Sequence, residues 1–181
     1  MKWRFSDLQN YTDEVKTFTE TLDVKDRLLK DFGDVVKDVT PVELNGFIQA
    51  DRDDVIVHAT VNVTVTTPST RSLELVDVPL NFDIDEVYIQ DTTHMDRYEE
   101  EQSVMVVDKE IDFQEAVIEY IVVNIPLQVL TEEEASGQDM PAGKNWAVMS
   151  ELDYENQADD VEHSNTPLAG LADLFADSDD K

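Results

Sequence analysis

The side chains with which this chain could do chemistry are three histidines and forty-two carboxylates, with no cysteine among its 181 residues. His58, His94 and His163 fall on a predicted strand, in a loop and in an acidic C-terminal stretch, without the paired spacing of zinc ligands. Lacking thiols, the chain has no disulfide, no thiolate metal site and no cysteine nucleophile. Asp83, Asp85 and Glu86 offer oxygen ligands to a hard cation, the grouping a metal-assisted nuclease would need, although a solvated strand end accounts for them better. Asp51 to Asp54 lacks the oxygen spacing and the glycine of a calcium loop. Gly143-Lys144 is followed by Asn145 and so lacks the hydroxyl residue of a phosphate loop. A Gly-x-Ser-x-Gly nucleophile elbow does not occur. The sequence therefore assigns no catalytic residue, no metal ligand and no cofactor, and predicts a protein that acts by binding.

Charge narrows what is bound. Thirteen basic against forty-two acidic groups give a net charge of −29. Residues 1–50 hold seven basic and ten acidic groups, residues 51–130 four and eighteen, and residues 131–181 two and fourteen. Such a field repels phosphates and speeds encounter with cationic partners, although solubility or adaptation to salt explains acidity equally well. The cations gather near the N-terminus. Lys2-Trp3-Arg4-Phe5 alternates basic and aromatic side chains, which fits an edge strand with a buried aromatic face better than a platform for stacking bases. Direct RNA contact would rest on Lys2, Arg4, Arg27 and Lys30. Arg71 is the rare cation of the middle segment, set in Thr66-Thr67-Pro68-Ser69-Thr70-Arg71-Ser72-Leu73-Glu74 among hydroxyl side chains. Its guanidinium either pairs with a nearby carboxylate to hold the turn or faces a partner.

The elements that must position these residues are mostly strands. Val55, Val57, Ala59, Val61, Val63 and Val65 alternate with polar residues, a period of two that marks a long half-buried strand. Pro41 to Ala50 predicts the strand before it, with Gly46 as a bulge, and Asp51-Arg52-Asp53-Asp54 predicts the hairpin turn between them. Val76 to Ile84 predicts a third strand, with a register shift near Val76, because Leu73 and Leu75 lie on the other parity. Ser103 to Val107 adds an edge strand. Asp112 and Glu115 form a capping-box pattern before a helix that Pro126 terminates. Ser6–Asn10 and Val24–Asp31 predict short helices. Thr166-Pro167 opens a final short helix with the apolar stripe Leu168, Leu171, Leu174 and Phe175. No aliphatic run is long enough to span a bilayer, and the N-terminus has no apolar signal region, so a cytoplasmic chain is expected.

Ser69-Thr70-Arg71-Ser72-Leu73-Glu74, followed by Val76 to Phe82 and Asp85-Glu86-Val87-Tyr88, closely resembles the signature of the YceD family, the large ribosomal RNA subunit accumulation proteins. Further matches follow in order: Lys2-Trp3-Arg4-Phe5-Ser6-Asp7-Leu8, Val42 with Gly46, Ile111-Asp112-Phe113 and Asn124-Ile125-Pro126-Leu127. Met140 to Trp146 and Asn165 to Leu171 complete a resemblance that spans nearly the whole chain. Many relatives carry cysteines at the turn and in the region spanning Leu130 to Asn145, which suggests metal binding; serine, threonine and glutamate stand here instead. The resemblance implies a bacterial, non-enzymatic factor for synthesis, processing or stability of large-subunit ribosomal RNA.

The expected fold is α+β: an antiparallel meander or partly open, barrel-like sheet with a few short helices and a flexible acidic C-terminal segment ending in a short helix. Residues 1–149 are expected to form the domain. Residues 150–181 are expected to form the tail, with its helix near 167–175. A basic ribosomal protein or rRNA-processing factor is the expected partner, with rRNA engaged at most indirectly and no membrane. Arg71, Ser72, Glu74, Trp146, Leu168, Leu171 and Phe175 are the expected contacts. Stripe residues are as well suited to packing on their own domain.

Overall fold

Alternation of valine with polar residues produces the central strand, because a pleated chain sends successive side chains to opposite faces. Val55, Val57, Ala59, Val61, Val63 and Val65 are buried, while Ile56, His58, Thr60, Asn62 and Thr64 stay half-exposed. The computed structural model describes residues 1–11, 14–98, 103–137, 140–149 and 154, in two compact units, Met1–Thr131 and Glu132–Lys181. The first unit runs β1 (Lys2–Arg4), α1 (Phe5–Leu8), β2 (Lys16–Leu22), α2 (Lys25–Phe32), β3 (Asp38–Val39), β4 (Val42–Asp51), β5 (Asp54–Pro68) and β6 (Leu75–Ile89). A 3-10 helix (Thr92–Arg97), β7 (Ser103–Val106), β8 (Glu110–Asp112) and α3 (Phe113–Asn124) follow. The second unit contains α4 (Glu132–Ala135) and the hairpin of β9 (Ala142–Gly143) and β10 (Trp146–Ala147). Of the expected tail, only Tyr154 is among the described residues, so the predicted helix near 167–175 lies outside them.

The main sheet has the order β2-β4-β5-β6-β7, with β3 beside β5, and does not close into a barrel. The α+β expectation holds, with β4, β5 and β6 forming the predicted antiparallel meander. One strand departs from it: β7 joins β6 in parallel, from Glu86↔Ser103 to Ile89↔Val106. Sequence reading also passed over β2, whose only large apolar residues are Phe18 and Leu22. An edge strand of this kind buries too little to show a clean alternation.

One face of the sheet forms the core. Val42, Leu44 and Ile48 of β4 and Leu80, Ile84 and Tyr88 of β6 cluster there with the β5 valines, Phe5, Leu28, Phe113, Val117, Ile118 and Ile121. Trp3, held by the β1–β8 pairing, stacks on Phe113 at 5.4 Å and meets Phe18 edge-on at 5.6 Å. Such pairs each add about 0.5–1.5 kcal/mol beyond area burial. The expected short strand is present with Trp3 on its packed side, but it ends at Arg4: Phe5, expected to share its face, opens α1 and is buried from there.

Three local expectations are corrected. Gly46 is not a bulge: it pairs regularly with both Phe18 and Ala59. Its lack of a side chain leaves room for the neighbouring backbone and the Phe18 ring, since a Cβ there would collide with the His58 carbonyl oxygen and sit 2.7 Å from Phe18 Cζ and 2.9 Å from Ala59 Cα. There is no register shift near Val76 either, because β5 and β6 pair without interruption from Pro68↔Leu75 to Val55↔Tyr88. Leu73 breaks parity because it lies in the turn, and Leu75 because it is solvent-exposed at the strand start. Finally, Asp112 makes no side-chain cap for α3; it pairs with Lys2 at 2.9 Å, and Glu115 pairs with Arg27 at 2.8 Å. Helix α3 nevertheless ends where predicted, with Ile125 extended ahead of Pro126.

Candidate partner-binding surface

The β5–β6 turn is organised by Ser69, whose side chain is wholly buried. Its Oγ accepts hydrogen bonds from the N–H groups of Arg71 at 3.0 Å and Ser72 at 3.3 Å. This is a hydroxyl-centred turn that replaces backbone ladder bonds. Ser69 N–H donates to the Glu74 carbonyl at 2.7 Å, and Glu74 N–H donates to Ser72 Oγ at 3.3 Å. Leu73 is held at φ 67°, a left-handed conformation that costs a branched residue about 1–2 kcal/mol. The surroundings impose it: Thr70 donates both N–H (2.8 Å) and Oγ1 (3.0 Å) to the Val129 carbonyl, and Thr67 Oγ1 donates to Val35 O at 2.8 Å.

Arg71 is half-exposed on this rigid support, with Ser72 and Glu74 exposed beside it. Exposed apolar side chains fall at the same end of the sheet: Leu73 (74%), Leu75, Val35 and, two residues before Val129, Leu127. Of the expected contacts, Arg71, Ser72 and Glu74 are therefore brought together. Trp146 belongs to the other unit, on β10, exposed and laid over Gly143, where a Cβ would come within 2.6 Å of its Cε2. Leu168, Leu171 and Phe175 lie outside the described residues.

The second face of the sheet is polar. Thr60 Oγ1 donates to Asp83 at 2.7 Å, Thr66 Oγ1 to Asp77 at 2.6 Å and Thr19 Oγ1 to Asn45 at 3.0 Å. His58 Nδ1 lies 2.6 Å from Asp85 while its ring stacks on Phe47 at 5.0 Å. Among the described residues, no lysine or arginine side chain stands on this face of β2, β4, β5 and β6. A groove of about 710 Å³ crosses it, with Thr21, Pro41, Asn62, Thr64, Pro79 and Asn81 in its lining.

Strand alternation decides the fate of the proposed carboxylate trio. Asp83 and Asp85 point to the polar face, whereas Glu86 is turned to the core side, accepts a hydrogen bond from the Tyr88 hydroxyl and is 4% exposed. Burial raises its pKa. A concavity of about 470 Å³ at the β6 edge touches all three, yet their carboxylates leave the strand on opposite sides. Among the described residues, no group of three or more acidic or histidine side chains is placed to hold a metal ion.

Two of the four proposed RNA-contacting cations are held in ion pairs. Lys2 pairs with Asp112, and Arg27 pairs with both Asp31 and Glu115. Arg4 and Lys30 are exposed. A small concavity of about 260 Å³ does gather Lys2, Arg4 and Lys16 with Trp3 and Tyr11, beside Asp7.

One polar cluster escaped sequence reading. Asp54, wholly buried at the start of β5, accepts from the Tyr98 hydroxyl at 2.8 Å and Arg97 at 3.2 Å, and its other oxygen lies 2.6 Å from His94 Nδ1. Burial, and then the bond to Asp54, push the Tyr98 hydroxyl up to about 12. The cluster ties the 3-10 helix to the β4–β5 hairpin. Its partners are about forty residues away in sequence, and Asp54 reads there as one more solvated turn carboxylate.

The matched family profile, described as large ribosomal RNA subunit accumulation protein YceD, covers residues 57–175. The chain belongs to the YceD family. The YceD match begins inside β5 and takes in the Ser69 turn, β6 and α3. A Bacillus subtilis (strain 168) relative named "Uncharacterized protein YlbN" is 30% identical over 160 residues, covering 88% of this chain and 91% of the relative. No solved structure matches. The YceD name associates the family with accumulation of large-subunit ribosomal RNA. Among the described residues, no helix is long and apolar enough to cross a membrane.

Proposed function

We propose that this YceD-family chain supports the synthesis, processing or stability of large-subunit ribosomal RNA in the cytoplasm by binding a basic protein, without catalysing a reaction. The partner is a ribosomal protein or an rRNA-processing factor, and rRNA is engaged through it. The observation that carries this reading is electrostatic: a −29 chain whose polar sheet face bears carboxylates and, among the described residues, no lysine or arginine. A cationic polypeptide gains from that field, and a polyphosphate is repelled by it. The Ser69 turn supports the reading by holding Arg71, Ser72 and Glu74 on a fixed frame, where a partner meets them without ordering a loop. Trp146, Leu168, Leu171 and Phe175 complete the proposed contacts.

Crosslinking in cells, followed by identification of bound proteins and RNA at low and high salt, tests this. Recovery of a basic protein in the crosslinked fraction, and its loss from an uncrosslinked pull-down as salt rises, supports the reading. Recovery of naked rRNA alone, or a partner set indifferent to salt, refutes it.

A second reading, direct RNA contact, has one observation in its favour: Lys2, Arg4 and Lys16 lie together around one small concavity, cations of the kind a phosphate backbone meets. Charge reversal at Lys2, Arg4 and Lys16 should abolish RNA retention if it is right; unchanged retention dismisses it.

A further inference from the structure

We propose that the outer edge of β6, from Leu75 to Asp83, receives an extended segment of the basic partner as an added strand, with basic and apolar residues alternating along that segment. This rests on the basic-partner reading and names where that partner binds. Strand β6 pairs with β5 along its length, but β7 covers its other side only from Glu86 to Ile89. Among the described residues, nothing pairs with Leu75–Asp83 on that side. An uncovered edge of this length, about 30 Å, is a template for strand addition unless something blunts it.

Hydrogen bonds on the far side of β5 settle which groups the edge offers. Thr64 donates its N–H to Thr40 Oγ1 at 3.0 Å and accepts from Thr40 N–H at 3.0 Å, while Thr66 O accepts from Lys37 N–H at 2.8 Å. The backbone groups of Thr64 and Thr66 therefore point away from β6. Their partners across the ladder, Pro79 and Asp77, are non-hydrogen-bonded pairs with β5, so their own backbone groups point outward. Alternation extends this to Asn81 and Asp83. The edge thus presents the N–H groups of Asp77, Asn81 and Asp83 and the carbonyls of Asp77, Pro79, Asn81 and Asp83. Pro79 sits at an outward position, where a missing N–H costs the β5–β6 ladder nothing but interrupts the row of outward donors, so an added strand is held by the N–H groups of Asp77 on one side and of Asn81 and Asp83 on the other.

Side chains beside this edge specify the partner's pattern. Asp77 and Asp83 flank it on the polar face, each fixed by a threonine hydroxyl from β5. Val78 and Phe82 flank it on the core face, only partly buried against the core cluster. Lysine or arginine on one parity and aliphatic residues on the other complement both. The same edge continues into exposed Leu75, Leu73 and the Arg71 turn.

The test uses the full chain, labelled with nitrogen-15, and a peptide of about ten residues alternating lysine with valine, enough to span the edge. Its counterpart alternates glutamate with valine. The lysine peptide should bind and slow amide exchange at Asp77, Asn81 and Asp83, and the glutamate peptide should not bind. Asn81→Pro removes one outward donor at the phase Pro79 already tolerates and should weaken binding by about tenfold or more, while Asn81→Ala keeps the donor and binds within about twofold of wild type. Asp77→Lys with Asp83→Lys should abolish binding of the lysine peptide. Undiminished binding by a folded Asn81→Pro chain, or protection confined to other amides, overturns the proposal. In cells, recovery of the same basic protein by wild type and Asn81→Pro would reject the edge and leave the basic-partner reading intact. Recovery of RNA alone would reject both.

Discussion

Replacing Asp54 by alanine should cost the first unit about 3–5 kcal/mol, the range for removing one member of a buried, hydrogen-bonded charge cluster. The carboxylate is wholly buried and serves three partners. They do not suffer equally. The Arg97 side chain is 36% exposed and regains water, so its share is small, whereas His94, 13% exposed, is left facing a void with its Nδ1 unsatisfied. For a chain of this size the loss corresponds to a fall in Tm of about 6–20 °C. Urea titration followed by tryptophan fluorescence would read the change, with Trp3 packed on Phe113 as reporter. Asp54→Asn keeps the shape and one acceptor and should lose less than alanine does. Limited proteolysis should cut the segment around Thr92–Arg97 faster in the alanine variant, because that segment's tie to the hairpin is gone. A loss under about 1 kcal/mol, with unchanged cleavage, would mean that the cluster is an ornament of the surface and that the reasoning fails.

Gly46→Ala should destabilise by more than about 2 kcal/mol in the same titration, because the new methyl meets the Ala59 backbone as well as the yielding Phe18 ring. Glu86→Gln should raise Tm at neutral pH and change it little at pH 4. Burial raises the folded-state pKa of Glu86, so the folded chain holds that proton to higher pH than the unfolded chain, and wild type loses stability as pH climbs from the unfolded value through the folded one. Glutamine still accepts the Tyr88 hydrogen bond and removes that slope. Ser69→Ala strands the N–H groups of Arg71 and Ser72 and should cost about 1–3 kcal/mol; amide exchange over residues 70–74 should quicken.

What sequence made legible was whatever repeats. The β5 valines announced their strand, face and hairpin partners, and the helical spacing from Phe113 to Ile121 announced α3. Legibility failed where one residue answers to something remote. Gly46 looked like a bulge because the Phe18 ring that needs its empty side belongs to a strand with almost no pattern of its own. Asp112 looked like a helix cap because Lys2, which claims it, is at the other end of the unit. The signature turn was visible as a motif, and Arg71 was noticed for its charge. That the buried Ser69 hydroxyl organises the turn needed geometry, since nothing in its neighbours distinguishes one serine from another.

The pairing of β1 with β8 has a consequence for how the chain comes into being. Residues 2–4 find their partners only at 110–112, so the first unit has no complete covering for its valine face until more than a hundred further residues have been made. At ordinary translation speeds that interval is about 5–20 s. During it, the nascent β4–β5 ribbon is an apolar surface awaiting α3, and final closure is a long-range, slow event. Agents that shield emerging chains should matter most for this protein within that window, before Phe113 arrives to seal it.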